Sequence, residues 1–231
     1  MKTSKLISAA TLLLLGTLQA QAAQVWTVTA QGFITSGVDT SGVFGTPGQQ
    51  LRSLAFSQTI TASVDPALWG TAGGTPVLAS MFGTGPGFTS VVTVDGHRVT
   101  FTGVSTESGG QTLDDARSAG LAPHFDLASS QQQGHTANGD LLYAEASLNG
   151  YANFVPTLDF GQAISVQLIH SPLHPSVHFS ISGSQSANFE STFIDSFGVN
   201  TVSAVPEPSA SVMLLAGLAG LACLARRQRR T

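Results

Sequence analysis

The chain has 231 residues, of which only 10% are charged, and a single cysteine, Cys223. The length suffices for one domain with a real core, and one cysteine rules out an internal disulfide framework. Between residues 23 and 204 three arginines, Arg52, Arg98 and Arg117, stand against twelve carboxylates with no lysine, a balance that repels nucleic acid and anionic lipid.

Lys2 and Lys5 precede an apolar stretch from Leu6 to Leu18, and Ala20-Gln21-Ala22 supplies a small-x-small cleavage site. Residues 1–22 therefore read as a secretory signal peptide handled by the Sec translocon, which leaves 23–204 as the folded body.

Period-two alternation recurs along that body and no sustained helical period does, which predicts an all-β fold. Val25–Ile34 is a Trp- and Thr-containing strand. From Gly32 to Gly48 a strand, a long glycine-rich turn and a second strand follow, and Asp39 with backbone carbonyls is a candidate Ca²⁺ ligand there, although EF-hand spacing is absent. Thr89–Thr102 is the clearest hairpin: Asp95-Gly96 is a favoured two-residue turn, and pairing across it puts Val92, Val94, Val99 and Phe101 on one face and Thr93, Arg98 and Thr100 on the other. Asp114–Gly120 reads as a short helix capped by Asp114. Ser129–Asn138, rich in Gln and Ser, reads as a surface loop. Asn149-Gly150 repeats the hairpin device between Leu141–Leu148 and Tyr151–Val155.

Further on, Leu158, Phe160, Ile164, Val166 and Leu168 alternate with polar residues, as do Val177, Phe179 and Ile181 with His178, Ser180 and Ser182. Phe189, Phe193, Ile194, Phe197 and Val199 supply one or two final strands. Together these elements predict an antiparallel two-sheet sandwich of jelly-roll type.

Chemistry-bearing constellations are few, and no cofactor is expected. His170, His174 and His178 are the candidate metal set, since three imidazoles suit catalytic zinc. Pro172 and Pro175 exclude the helix that would gather them, and along an extended chain at ~3.3 Å per residue neighbours stand roughly 13 Å apart. His97 beside the Asp-Gly turn, and His124 and His135 in expected loops, read as lone surface histidines without a sequence partner. Trp26 and Trp69 are candidate stacking platforms, although core or edge packing is the reading that their type favours.

Past the body come Val205-Pro206-Glu207-Pro208-Ser209, the uncharged run Ala210–Ala225, and Arg226-Arg227-Gln228-Arg229-Arg230-Thr231. As a helix at ~1.5 Å per residue the run would be about 24 Å long, and snorkelling arginines extend it to a membrane span. Arg226, Arg227, Arg229 and Arg230 hold that end in the cytoplasm, so the body lies outside. The order Pro-Glu-Pro, short apolar helix, basic cluster resembles the PEP-CTERM sorting signal of Gram-negative bacteria, over residues 205–231. The resemblance implies that Pro206, Glu207 and Pro208 are recognised by a membrane-embedded exosortase, that 210–225 anchors the precursor in the inner membrane, and that the arginines are the stop. It also implies the company of exopolysaccharide. The stretch Gly32–Gly48 is similar to the opening of other bodies carrying this tail.

The function expected is therefore that of an exported, non-enzymatic surface or extracellular-matrix protein, anchored with its body in the periplasm and then processed to the cell surface or exterior. The competing expectations are a carbohydrate-binding module for exopolysaccharide and a metal-dependent hydrolase using His170, His174 and His178.

Overall fold

The computed structural model describes residues 24–64, 69–75, 78–83, 88–102, 105–115, 125–157 and 162–203. In chain order the strands are β1 (Gln24–Phe33), β2 (Ser36–Asp39), β3 (Gln49–Gln50), β4 (Ala55–Val64), β5 (Trp69–Thr75), β6 (Leu78–Gly83), β7 (Phe88–Val94) and β8 (His97–Thr102). They continue with β9 (Ser105–Asp115), β10 (Asp126–His135), β11 (Leu141–Gly150), β12 (Ile164–Gln167), β13 (His174–Ser182), β14 (Ala187–Ser191) and β15 (Phe193–Ser203). No helix occurs among the described residues, and none is therefore long and apolar enough to cross a membrane. The segments 1–22 and 205–231 lie outside them.

A six-stranded sheet runs β12-β15-β1-β4-β7-β8 and a nine-stranded sheet runs β3-β2-β14-β13-β11-β10-β9-β6-β5. The expected two antiparallel sheets are present. Much of the order consists of sequential hairpins, and the jelly-roll wrapping is a finer statement than this order carries. The β7–β8 hairpin forms as the alternation predicts: Val92 pairs Val99 and Thr93 pairs Arg98, Val92, Val94 and Phe101 are buried, and Asp95 (φ 48°) and Gly96 (φ 83°) take the left-handed conformations that a two-residue turn requires.

The sheets are joined by phenylalanine rings. Phe179 of β13 stacks on Phe189 of β14 at 5.4 Å, and across the gap Phe101 of β8 meets Phe179 at 5.5 Å while Phe56 of β4 meets Phe189 at 5.4 Å. Phe44, from the turn after β2, closes the cluster with an edge contact of 5.4 Å to Phe179. Beside it runs a polar seam. Gln58 Nε2 donates to the Glu145 carbonyl at 2.8 Å, and the Ser90 hydroxyl donates to Gln132 Oε1. Gln58, Ser90, Ser130 and Gln132 are all buried, and Ala144 and Ala146, paired with Gln132 and Ser130, leave room for them.

That seam corrects one expectation. Ser129–Asn138 is not a loop: residues through His135 belong to β10, whose alternate side chains face the core. Because those inward residues are Ser, Gln and Gly, the strand lacks the apolar period that normally marks one.

The second hairpin expectation also fails. β11 continues to Gly150 and pairs with β13 as far as Asn149 opposite His174, and 151–155 form no strand. The amides of Phe154 and Val155 go instead to Asp126 Oδ2, at 2.6 and 2.7 Å. The helix expected from Asp114 is replaced at Asp114 and Asp115 by the end of β9; residues 116–120 lie outside the described set.

Two more buried aspartates fix turns in the same way as Asp126. Asp39 accepts from the amides of Gly42, Val43 and Phe44 at 2.8, 2.8 and 2.6 Å. Asp140 accepts from the Ser184 amide and, at 2.9 Å, its hydroxyl, and from the Gln185 amide at 3.3 Å.

Because the ring cluster spans both sheets, Phe179→Ala should lower unfolding free energy by about 3–5 kcal/mol, whereas Ser180→Ala next to it should stay within ~0.5 kcal/mol. Urea denaturation of the two variants checks this, and a Phe179 loss below ~1 kcal/mol would remove the cluster from its bridging role.

Candidate functional site

The pleat of the nine-stranded sheet sends alternate residues away from the core, and cross-strand register lines them up. Gln131 of β10 lies opposite Glu145 of β11, Glu145 opposite His178 of β13, His178 opposite Glu190 of β14, and Glu190 opposite Ser36 of β2. With strands ~4.8 Å apart, this row extends for about 19 Å.

Each carboxylate in the row is oriented by one hydroxyl. The Tyr143 hydroxyl donates to Glu145 Oε2 and the Ser36 hydroxyl to Glu190 Oε1 at 2.9 Å. The His178 ring packs edge-on against Tyr143 at 5.3 Å. Burial of the phenol, then its hydrogen bond to Glu145 and the charge of that carboxylate, push the Tyr143 pKa well above the ordinary tyrosine value. A pocket of about 270 Å³ opens over Glu145, His178 and Glu190.

A larger cleft of about 550 Å³ adjoins it, and Thr35 and Thr192 line both. Its walls include Phe33, Ile169 and Phe193, exposed to 50, 67 and 69%. Local structure explains the display. Gly32 sits so close to β15 that a Cβ would lie 2.1 Å from the Phe193 carbonyl oxygen, so the end of β1 and the start of β15 touch at the cleft that Phe33 and Phe193 both line. A turn closed by the Ser171 amide donating to the Leu168 carbonyl at 3.0 Å, with His170 at φ 63°, presents Ile169. Arg52, His170 and Asp195 give the cleft a polar rim.

The proposed metal ligands are not gathered. His174 and His178 lie four residues apart on β13, His170 lies in the turn before it, and among the described residues no group of three His, Cys, Asp or Glu is arranged to hold a metal ion. Asp39 is buried with both carboxylate oxygens engaged by amide donors; N–H groups aimed at the carboxylate occupy the directions that a Ca²⁺ ion would need, so Asp39 is a turn clamp. Trp26, 1% exposed, is core and offers no stacking surface, and the side chain of Trp69 lies outside the described set. His97 is exposed beside its turn, but His135 closes β10 rather than lying in a loop.

Glu145, Glu190, Tyr143, Phe33 and Phe193 carry no sequence motif. Alternation marks Tyr143 and Glu145 as outward residues; nothing short of the strand register sets them beside His178 and Glu190.

Residues 204–230 match the family model described as PEP-CTERM protein-sorting motif. The match begins one residue after β15 ends at Ser203, and it contains Pro206, Glu207 and Pro208. Such a motif implies an exosortase as processing partner and a membrane-anchored precursor that is sorted to the surface. No curated protein and no solved structure matches the chain.

The raised Tyr143 pKa ties stability to alkaline pH. Its folded-state pKa is raised, so its neutral form contributes stability in full below the unfolded value of about 10, and that contribution is lost as pH climbs above it, where the unfolded chain releases the proton and the folded one keeps it. Thermal melts between pH 8 and 11 should therefore fall above pH ~10, and Tyr143→Phe should flatten the fall. An equal slope in both proteins would show that the phenol is not held neutral.

Proposed function

We propose, on the premise that residues 204–230 are a PEP-CTERM sorting motif, that this chain is an exported, non-enzymatic surface or extracellular-matrix protein. Ala210–Ala225 holds the precursor in the inner membrane with Arg226, Arg227, Arg229 and Arg230 in the cytoplasm, and an exosortase acts near Pro206-Glu207-Pro208. The matched motif carries the reading. It is supported by the end of the last strand at Ser203, since cleavage in the motif then leaves every ladder of the body whole.

Mass spectrometry of the protein from an exosortase-containing strain should find a C-terminus at or before the Pro-Glu-Pro motif, and the intact Arg-Arg-Thr end when the exosortase is deleted. Pro206→Ala with Pro208→Ala should preserve the tail in the competent strain. An unprocessed chain in that strain overturns the proposal.

A further inference from the structure

The two adjoining hollows make one groove with two chemically different halves. At one end are the exposed rings of Phe33 and Phe193; at the other is the line of hydrogen-bonding side chains through Glu145, His178 and Glu190. Tyr143 and Ser36 each engage one oxygen of a carboxylate, so the second oxygen of each is left to accept from a ligand. Among the described residues no ion pair engages Glu145, His178 or Glu190, and no lysine or arginine lines that half.

These features select a ligand class. Two carboxylates without a cation repel phosphate, sulfate and uronate. Accepting oxygens beside serine and threonine hydroxyls want a partner that both donates and accepts along its length, and an exposed phenyl face wants a flat surface of C–H groups. A chain of sugar rings offers hydroxyl edges and C–H faces together. The line from Glu145 to Glu190, two spacings of ~4.8 Å or about 10 Å, continues into the ring-lined hollow through Thr35 and Thr192 and so offers room for more than one residue of such a chain.

We infer that the groove formed by Phe33, Phe193, Glu145, His178 and Glu190 binds a neutral glycan, with the phenyl rings stacking on its sugars and the carboxylates accepting from its hydroxyls. The inference goes beyond the sorting proposal and does not rest on it, because binding is measured on the unprocessed chain.

The test uses the full-length chain purified in detergent and titrated calorimetrically with neutral hexasaccharides of glucose, mannose, galactose and xylose, and separately with spermidine. At least one hexasaccharide should bind. Phe193→Ala and Glu190→Gln should each weaken it by about tenfold or more, with thermal melting unchanged, while Leu141→Ala, an exposed apolar residue outside the groove, should leave it as it was. Four silent titrations, glycan binding that neither groove variant alters, or spermidine binding in place of every glycan would each overturn the assignment.

Discussion

A buried carboxylate must be met by donors, and this body has almost no cations to offer. Its aspartates are met by the backbone instead. Asp39 takes three amides of the turn that follows it, Asp126 takes those of Phe154 and Val155, and Asp140 takes those of Ser184 and Gln185. A hydrogen bond to a charged group is worth more than one between neutral groups, so each aspartate offsets part of its own desolvation while ordering a loop. The consequences reach the core: the Asp39 turn carries Phe44 onto the ring cluster, and the Asp126 clamp carries Val155 into the interior. In a body without cysteine, the Asp126 and Asp140 contacts tie sequence-distant segments together where a disulfide would otherwise serve. Asp140 and the Ser41–Ser186 contacts, with the Ser186 amide donating to the Ser41 hydroxyl at 2.8 Å, join three turns at one end of the larger sheet.

The two faces of that larger sheet divide the work. Inward, rings and small residues interdigitate with the other sheet, and the Gln58, Ser90 and Gln132 seam adds directional contacts that a purely apolar layer lacks. Outward, the same strands carry the row from Gln131 to Ser36, whose geometry is inherited from the backbone ladder. Side chains anchored on central strands are held more rigidly than side chains on loops, and the Tyr143 and Ser36 hydroxyls further restrict the two carboxylates.

How much of this was legible depended on whether the information is local. The β7–β8 hairpin and β13 were readable because turn chemistry and alternation lie within a dozen residues. β10 was not, because its inward Ser130 and Gln132 are polar, and Gln132 meets the Ser90 hydroxyl only across the sandwich. Asn149-Gly150 has the composition of a turn, yet the next amides are claimed by Asp126, a competition that local preference does not contain. Glu145, His178 and Glu190 lie on three strands, and only their register makes them neighbours. The sorting motif is the opposite case, a linear pattern that needs no fold to be recognised.

The adjacency of β1 and β15 also governs when the protein can assemble. β15 is an interior strand, flanked by β12 and β1, so a chain delivered N-terminus first leaves β1 with one side open until residue 203 has arrived. The smaller sheet closes by its most sequence-distant pairing, the kind that slows folding most. Up to that moment the nascent molecule presents an unsatisfied strand edge to its neighbours, and its protection rests on the speed with which the final segment follows.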